Sequence, residues 1–117
     1  MLCPADFFDL EGVEHPRLLA GRDPVWRVLT LLEAYIESFL STHGARVLGD
    51  VASGAQVGSD VYLGAGTKVE AGACIVGPAV IGPRNEIRNG AYNREGVVTG
   101  AGVIIGHGSE VKTSLLL

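Results

Sequence analysis

Positive charge is in short supply in this chain. Its 9 Lys and Arg face 13 Asp and Glu, giving a net charge of −4 and a pI near 5.2. That leaves no electrostatic footprint for nucleic acid. Long apolar runs are missing too, so nothing reaches the roughly 18 residues that span a bilayer. The opening "MLCPADFFDLE" lacks the basic start and apolar core of a signal peptide. Cysteine is scarce: Cys3 and Cys74 lie far apart, without metal-ligand spacing. Free thiols in a reduced, cytoplasmic compartment are expected. Of the 3 histidines, His15 and His43 precede the repeats described below, so a zinc site built by the repeats is not expected.

What the chain has is glycine and aliphatic residues. A hydrophobic content of 47% with 19% charged residues excludes a disordered chain, and 117 residues make one modest domain. Seventeen glycines are too many for a helical bundle. Stepping by six gives Val51, Val57, Leu63, Val69, Ile75, Ile81, Ile87, Asn93, Thr99, Ile105, Val111 and Leu117, of which ten are aliphatic. The row two places earlier, from Gly49 through Asn85 to Leu115, is mostly small or β-branched. A period of six fits neither a helix nor a hairpin meander, and it marks a parallel β-helix. The expected fold is mainly β: a left-handed parallel β-helix of about four coils over residues 45–117, preceded by a helical leader over residues 1–44.

The leader's clearest element is "DPVWRVLTLLEAYIESFLSTHG". Asp23 is a good N-cap, Pro24 suits the first helical position, and Gly44 can end the helix. A helix over residues 24–41 would align Val25, Val28, Leu29, Leu32, Tyr35, Ile36, Phe39 and Leu40 in one apolar stripe. Short helical turns with Phe7, Phe8, Leu18 and Leu19 facing inward are expected upstream.

Three hexads make a triangular coil of eighteen residues, so residues eighteen apart stack. Val51, Val69, Ile87 and Ile105 should form one interior ladder, Val57, Ile75, Asn93 and Val111 a second, and Leu63, Ile81, Thr99 and Leu117 a third. Glu70 falls over Arg88 and Lys68 over Glu86, opposite charges that support the register. Asn93 needs partners inside the prism; backbone at a turn would supply them, and Thr99 could bond a nearby carbonyl. Outside, Tyr62, Val80, Val98 and Leu116 share one flat side. A solvated monomer does not normally expose such a stripe. Either the helix of residues 24–41 or another subunit should cover it.

Residues 76–117, "VGPAVIGPRNEIRNGAYNREGVVTGAGVIIGHGSEVKTSLLL", resemble the β-helix of the bifunctional sugar-1-phosphate nucleotidyltransferase/acetyltransferases, the UDP-N-acetylglucosamine pyrophosphorylase group. "EIRNGAY" and "SEVKTSLLL" are the most specific matches. "DFFDLEG" followed by "VWRVLTLLEAYI" resembles the helical leader of smaller relatives lacking the nucleotidyltransferase domain. The resemblance implies a homotrimer, with acetyl-CoA-dependent acyltransferase sites between subunits. In that family a His-Phe-Asn-Tyr motif and further coils bring the general base and the acyl-CoA groove. None is present up to Leu117, so no catalytic residue carries over. The chain is therefore expected to be the amino-terminal portion of such an enzyme, not catalytic alone.

Candidate substrate contacts remain. Arg94 falls over Lys112, a like-charge pair that would repel unless an anion or a carboxylate lies near. A sugar phosphate or a partner's acidic side chain would suit it. His107 falls over Asn89, next to Arg88. These five residues, Arg88, Asn89, Arg94, His107 and Lys112, are the expected phosphosugar contacts. The other readings are a trimerising β-helix without chemistry and a small anion-binding module; either corner could equally be solvated surface. "GAGVIIG" imitates a dinucleotide-binding loop, but no helix can follow it in this register. "SLLL" is expected to put Leu115 and Leu117 inward and Leu116 outward, with Leu117 a cut or a docking surface.

Overall fold

The computed structural model describes residues 27–117. The readings made for Cys3, Phe7, Phe8, His15, Leu18, Leu19, Asp23, Pro24 and Val25 fall outside them. Helix α1 (Arg27–Thr30) and helix α2 (Leu32–His43) are separated by Leu31. The expected single helix is thus interrupted there, and it runs on to His43. Gly44 ends it with φ 80°, its N–H donating to the Leu40 carbonyl at 2.8 Å.

Twelve short strands follow, in three parallel sheets of four. The first sheet holds β1 (Asp50–Val51), β4 (Lys68–Val69), β7 (Glu86–Ile87) and β10 (Ile104–Ile105) in that order. The second holds β2 (Gln56–Val57), β5 (Cys74–Ile75), β8 (Tyr92–Asn93) and β11 (Glu110–Val111). The third holds β3 (Val61–Leu63), β6 (Ala79–Ile81), β9 (Val97–Thr99) and β12 (Ser114–Leu116). Each coil contributes one strand to each sheet, making a parallel β-solenoid of about four turns. Val51, Val69, Ile87 and Ile105 are register partners in succession, as are Val57, Ile75, Asn93 and Val111. Lys68 pairs with Glu86 in register, as the charge pattern implied.

The last strand departs from the expectation. Leu116, not Leu117, stands opposite Thr99, and Leu115 opposite Val98. Leu116 therefore packs against the prism interior, Leu115 faces the helix, and Leu117 is 43% exposed. The cause is one missing residue. Arg94, Glu95 and Gly96 link β8 to β9, whereas only Lys112 and Thr113 link β11 to β12. A slip of one residue exchanges the two faces of a strand.

Helix α2 lies across the outer face of the third sheet. Leu32 and Ile36 are buried against Val80 and Val98, with Tyr35, Phe39, Leu40, Tyr62 and Leu115 around them. The apolar stripe is thus covered by the chain's own helix. Fully burying each such side chain stabilises by about 1.5–3 kcal/mol, so Leu32, Ile36, Val80 and Val98 together hold the helix on the sheet.

Inside the prism the two polar interruptions behave differently. Thr99 Oγ1 donates to Asn85 Oδ1 at 2.6 Å and accepts the Gly82 N–H at 2.9 Å. Asn85 Nδ2 donates to the carbonyls of Pro83 and Gly100, and Thr67 Oγ1 donates to the Gly82 carbonyl. Asn93 is as fully buried, and neither its Oδ1 nor its Nδ2 has a partner. The backbone partners expected for it at a turn are not formed.

Candidate functional site

The solenoid's corners hold most of its charged side chains, and helix α2 turns one of them into a wall of a cleft. The corner between the second and third sheets stacks Pro78, Glu95–Gly96 and Thr113. Opposite it stand Leu29, Leu32, Glu33 and Ile36 of the two helices. Together they line a cleft of about 330 Å³. Its floor is apolar, from Leu32, Ile36 and Pro78. Its polar groups are Thr30, Thr113 and the carboxylates of Glu33 and Glu95.

Glu95 joins this cleft to the expected basic pair. Its Oε1 lies 3.7 Å from Arg94 Nη2 and 3.8 Å from Lys112 Nζ. Arg94 Nη1 also donates to Glu110 Oε2 at 3.2 Å. Two carboxylates thus balance two cations, which answers the repulsion posed by the stacking of Arg94 on Lys112. A backbone hydrogen bond at Glu95 itself is the largest influence and holds its carboxyl below the usual range; desolvation opposes it, and the charges of Arg94 and Lys112 add to the lowering. The hydrogen bond to Glu110 and the charge of Glu95 raise the Arg94 guanidinium further above its already high value.

The other three expected contacts lie at a different corner, between the first and second sheets. Asn89 Nδ2 donates to the Ala71 carbonyl, and the Asn89 N–H donates to Glu70 Oε1 at 2.8 Å. His107 Nδ1 meets the Asn89 carbonyl. Arg88 Nη2 lies 3.6 Å from Glu86 Oε2, so Glu70 and Arg88 share a register without pairing directly. Here Asn89 and His107 each cap a backbone carbonyl of the coil before, while Glu70 accepts from the coil after. The five expected residues therefore form two clusters, and among the described residues Arg94 and Lys112 adjoin a cleft through Glu95.

Glu95, Glu110, Glu33 and Thr113 were not among the expected contacts. Glu110 was readable, because its register partner Tyr92 is two residues from Arg94. Glu33 was not, since the hexad period says nothing about where a helix docks. Among the described residues, no group of three or more His, Cys, Asp or Glu could hold a metal ion. No described helix is long and apolar enough to cross a membrane.

Among the described residues, the two clefts beside the helix hold about 330 and 250 Å³, near the lower end of the 300–1,000 Å³ that drug-sized ligands occupy, and acetyl-CoA is larger than such ligands. No family model matches the chain, and no curated protein or solved structure is significantly similar to it.

Proposed function

We propose that this chain is an acyltransferase-type hexapeptide-repeat protein, left-handed in its coil and related to enzymes of sugar-nucleotide biosynthesis. Its described residues supply a frame and a phosphosugar contact, and they do not carry the acyl-transfer step. The observation that carries this reading is the cleft bounded by Glu33, Glu95 and Thr113, with Arg94 and Lys112 behind Glu95. A sugar ring would lay its apolar face on Leu32, Ile36 and Pro78 and donate hydroxyl protons to the two carboxylates. Its phosphate would compete with Glu95 and Glu110 for the basic pair. Because those cations are already neutralised and exposed, binding is weak and falls as salt rises.

The same reading places acetyl-CoA between subunits of a trimer, not within one chain. Cyclic symmetry is the usual form of a homo-oligomer. With the third sheet covered by helix α2, subunits would meet through the first and second sheets, where Ile104 and Tyr92 are 55% and 44% exposed.

Glucosamine-1-phosphate titrated into the ¹⁵N-labelled protein tests the contact. Saturable shifts at the Gly96 and Thr113 amides are expected, and Arg94→Ala should remove them. Shifts that ignore Arg94, or none at all, contradict the phosphosugar reading. Acetyl-CoA turnover on the same sugar should be undetectable for residues 1–117, and turnover surviving stringent purification would refute the division of roles.

A further inference from the structure

Residues 66, 84 and 102 are eighteen apart and occupy one corner position in successive coils, between the third and first sheets. Gly66 and Gly102 take it with φ of 77° and 70°. This left-handed backbone is open to glycine because no Cβ meets the following carbonyl. Arg84 takes the same place with φ 55°. Glycine would suit this coil better than arginine, and an outlier held in place invites the question of what its side chain does.

The side chain is exposed, and among the described residues no carboxylate lies within 4 Å of its guanidinium. Arg88 and Arg94, by contrast, each reach a glutamate. The stem of Arg84 passes over Gly66, where an added Cβ would come within 3.3 Å of Arg84 Cγ. It thus runs back towards the preceding coil's corner, whose Gly64–Ala65 backbone lines the second cleft beside the helix. That cleft also has Pro83, the residue before Arg84, in its wall. Facing these are three aromatic rings, Tyr35, Phe39 and Tyr62, with Phe39 and Tyr62 edge to face at 5.0 Å. At about 250 Å³ the space suits one ring, being smaller than the usual ligand range that starts near 300 Å³.

We propose that this cleft binds a small anion bearing a single aromatic ring, an aryl phosphate or aryl carboxylate. The ring packs among Tyr35, Phe39 and Tyr62, and Arg84 at the rim takes the anionic group. Edge-to-face packing favours an aromatic guest, and the planar guanidinium offers paired N–H donors to phosphate or carboxylate oxygens. The site lies on the opposite flank of helix α2 from the phosphosugar cleft and does not depend on that reading.

Phenyl phosphate is the probe, titrated into the whole 117-residue protein and followed by amide shifts at Ala65, Gly66 and Gly82. Saturable shifts there are expected. Inorganic phosphate should bind more weakly, and neutral benzyl alcohol should bind without regard to residue 84. Arg84→Gly should lower phenyl phosphate affinity by about tenfold or more, the loss of a charge-assisted contact. Its melting temperature should equal or exceed the parent's, because glycine fits the corner, so lost binding is not lost folding. Arg84→Lys should fall between. Unchanged affinity in Arg84→Gly, or shifts confined to Gly96 and Thr113, would overturn the proposal.

Discussion

Thr99 and Asn93, six residues apart in one coil, both turn a polar side chain into the prism, and only Thr99 is satisfied there. The difference lies fourteen residues back. Thr99 finds Asn85 at that offset and bonds it. The residue at the same offset from Asn93 is Ala79, which has no polar side-chain atom to offer. Around Thr99, the side chains of Thr67 and Asn85 take up backbone groups of Gly82, Pro83 and Gly100 at the corner. Around Asn93, the neighbours in register are Ile75 and Val111. A polar residue in a solenoid interior is therefore stabilising or costly according to what the adjoining corner row supplies.

Both positions exist only if the frame holds, and breaking the frame has the largest expected effect. Val80→Lys would bury an ammonium beneath helix α2, where Val80 is 0% exposed. Loss of the helix–sheet contact is expected, with unfolding or at least several kcal/mol of destabilisation. Circular dichroism and urea unfolding would detect it; a variant as stable as the parent would show that the helix does not cover this face. The satisfied corner comes next. Asn85→Leu removes the acceptor of the Thr99 hydroxyl and the donor to two carbonyls. Buried groups left unpaired cost about 1–3 kcal/mol each, so a loss near 3 kcal/mol is expected from the unfolding midpoint. A neutral result would mean that the corner is satisfied by other means.

The smallest effect concerns charge at the cleft. The Glu95 carboxyl is depressed in the folded state, so its contribution to stability is present above its ordinary value, 4.5, and fades as pH falls through the lower folded value. Glu95→Gln should flatten that acid limb slightly. It should also leave Arg94 and Lys112 less neutralised, which would strengthen phosphosugar binding at neutral pH. Weaker binding in this variant would indicate that the carboxylate contacts the sugar more than it competes with the phosphate.

Much of this architecture was legible beforehand. The step of six located the interior rows, and the eighteen-residue coil put Lys68 beside Glu86 and Arg94 over Lys112. Four features were not. The run of three leucines at 115–117 is apolar at every position, so alternation could not say which leucine faced inward, and the shortened link at Lys112–Thr113 decided it. Glu33 joined the cleft only through the docking of helix α2, which leaves no mark on the hexad. Asn85 looked like one more small residue in its row, although its side chain organises the corner. Arg84 was likewise silent, because left-handed backbone at a corner appears in sequence as glycine, and an arginine in that place gives no sign.

The most direct measurement is urea unfolding of Asn93→Val and Thr99→Val side by side with the parent. Both substitutions replace an interior polar residue by the same aliphatic, six residues apart. Asn93→Val removes two buried, unpartnered polar atoms and should stabilise by about 1–3 kcal/mol. Thr99→Val strands the Gly82 N–H and Asn85 Oδ1 and should destabilise by about 2 kcal/mol. Opposite signs are the predicted result. Equal signs, or a destabilised Asn93→Val, would contradict the account of how this interior tolerates polar residues.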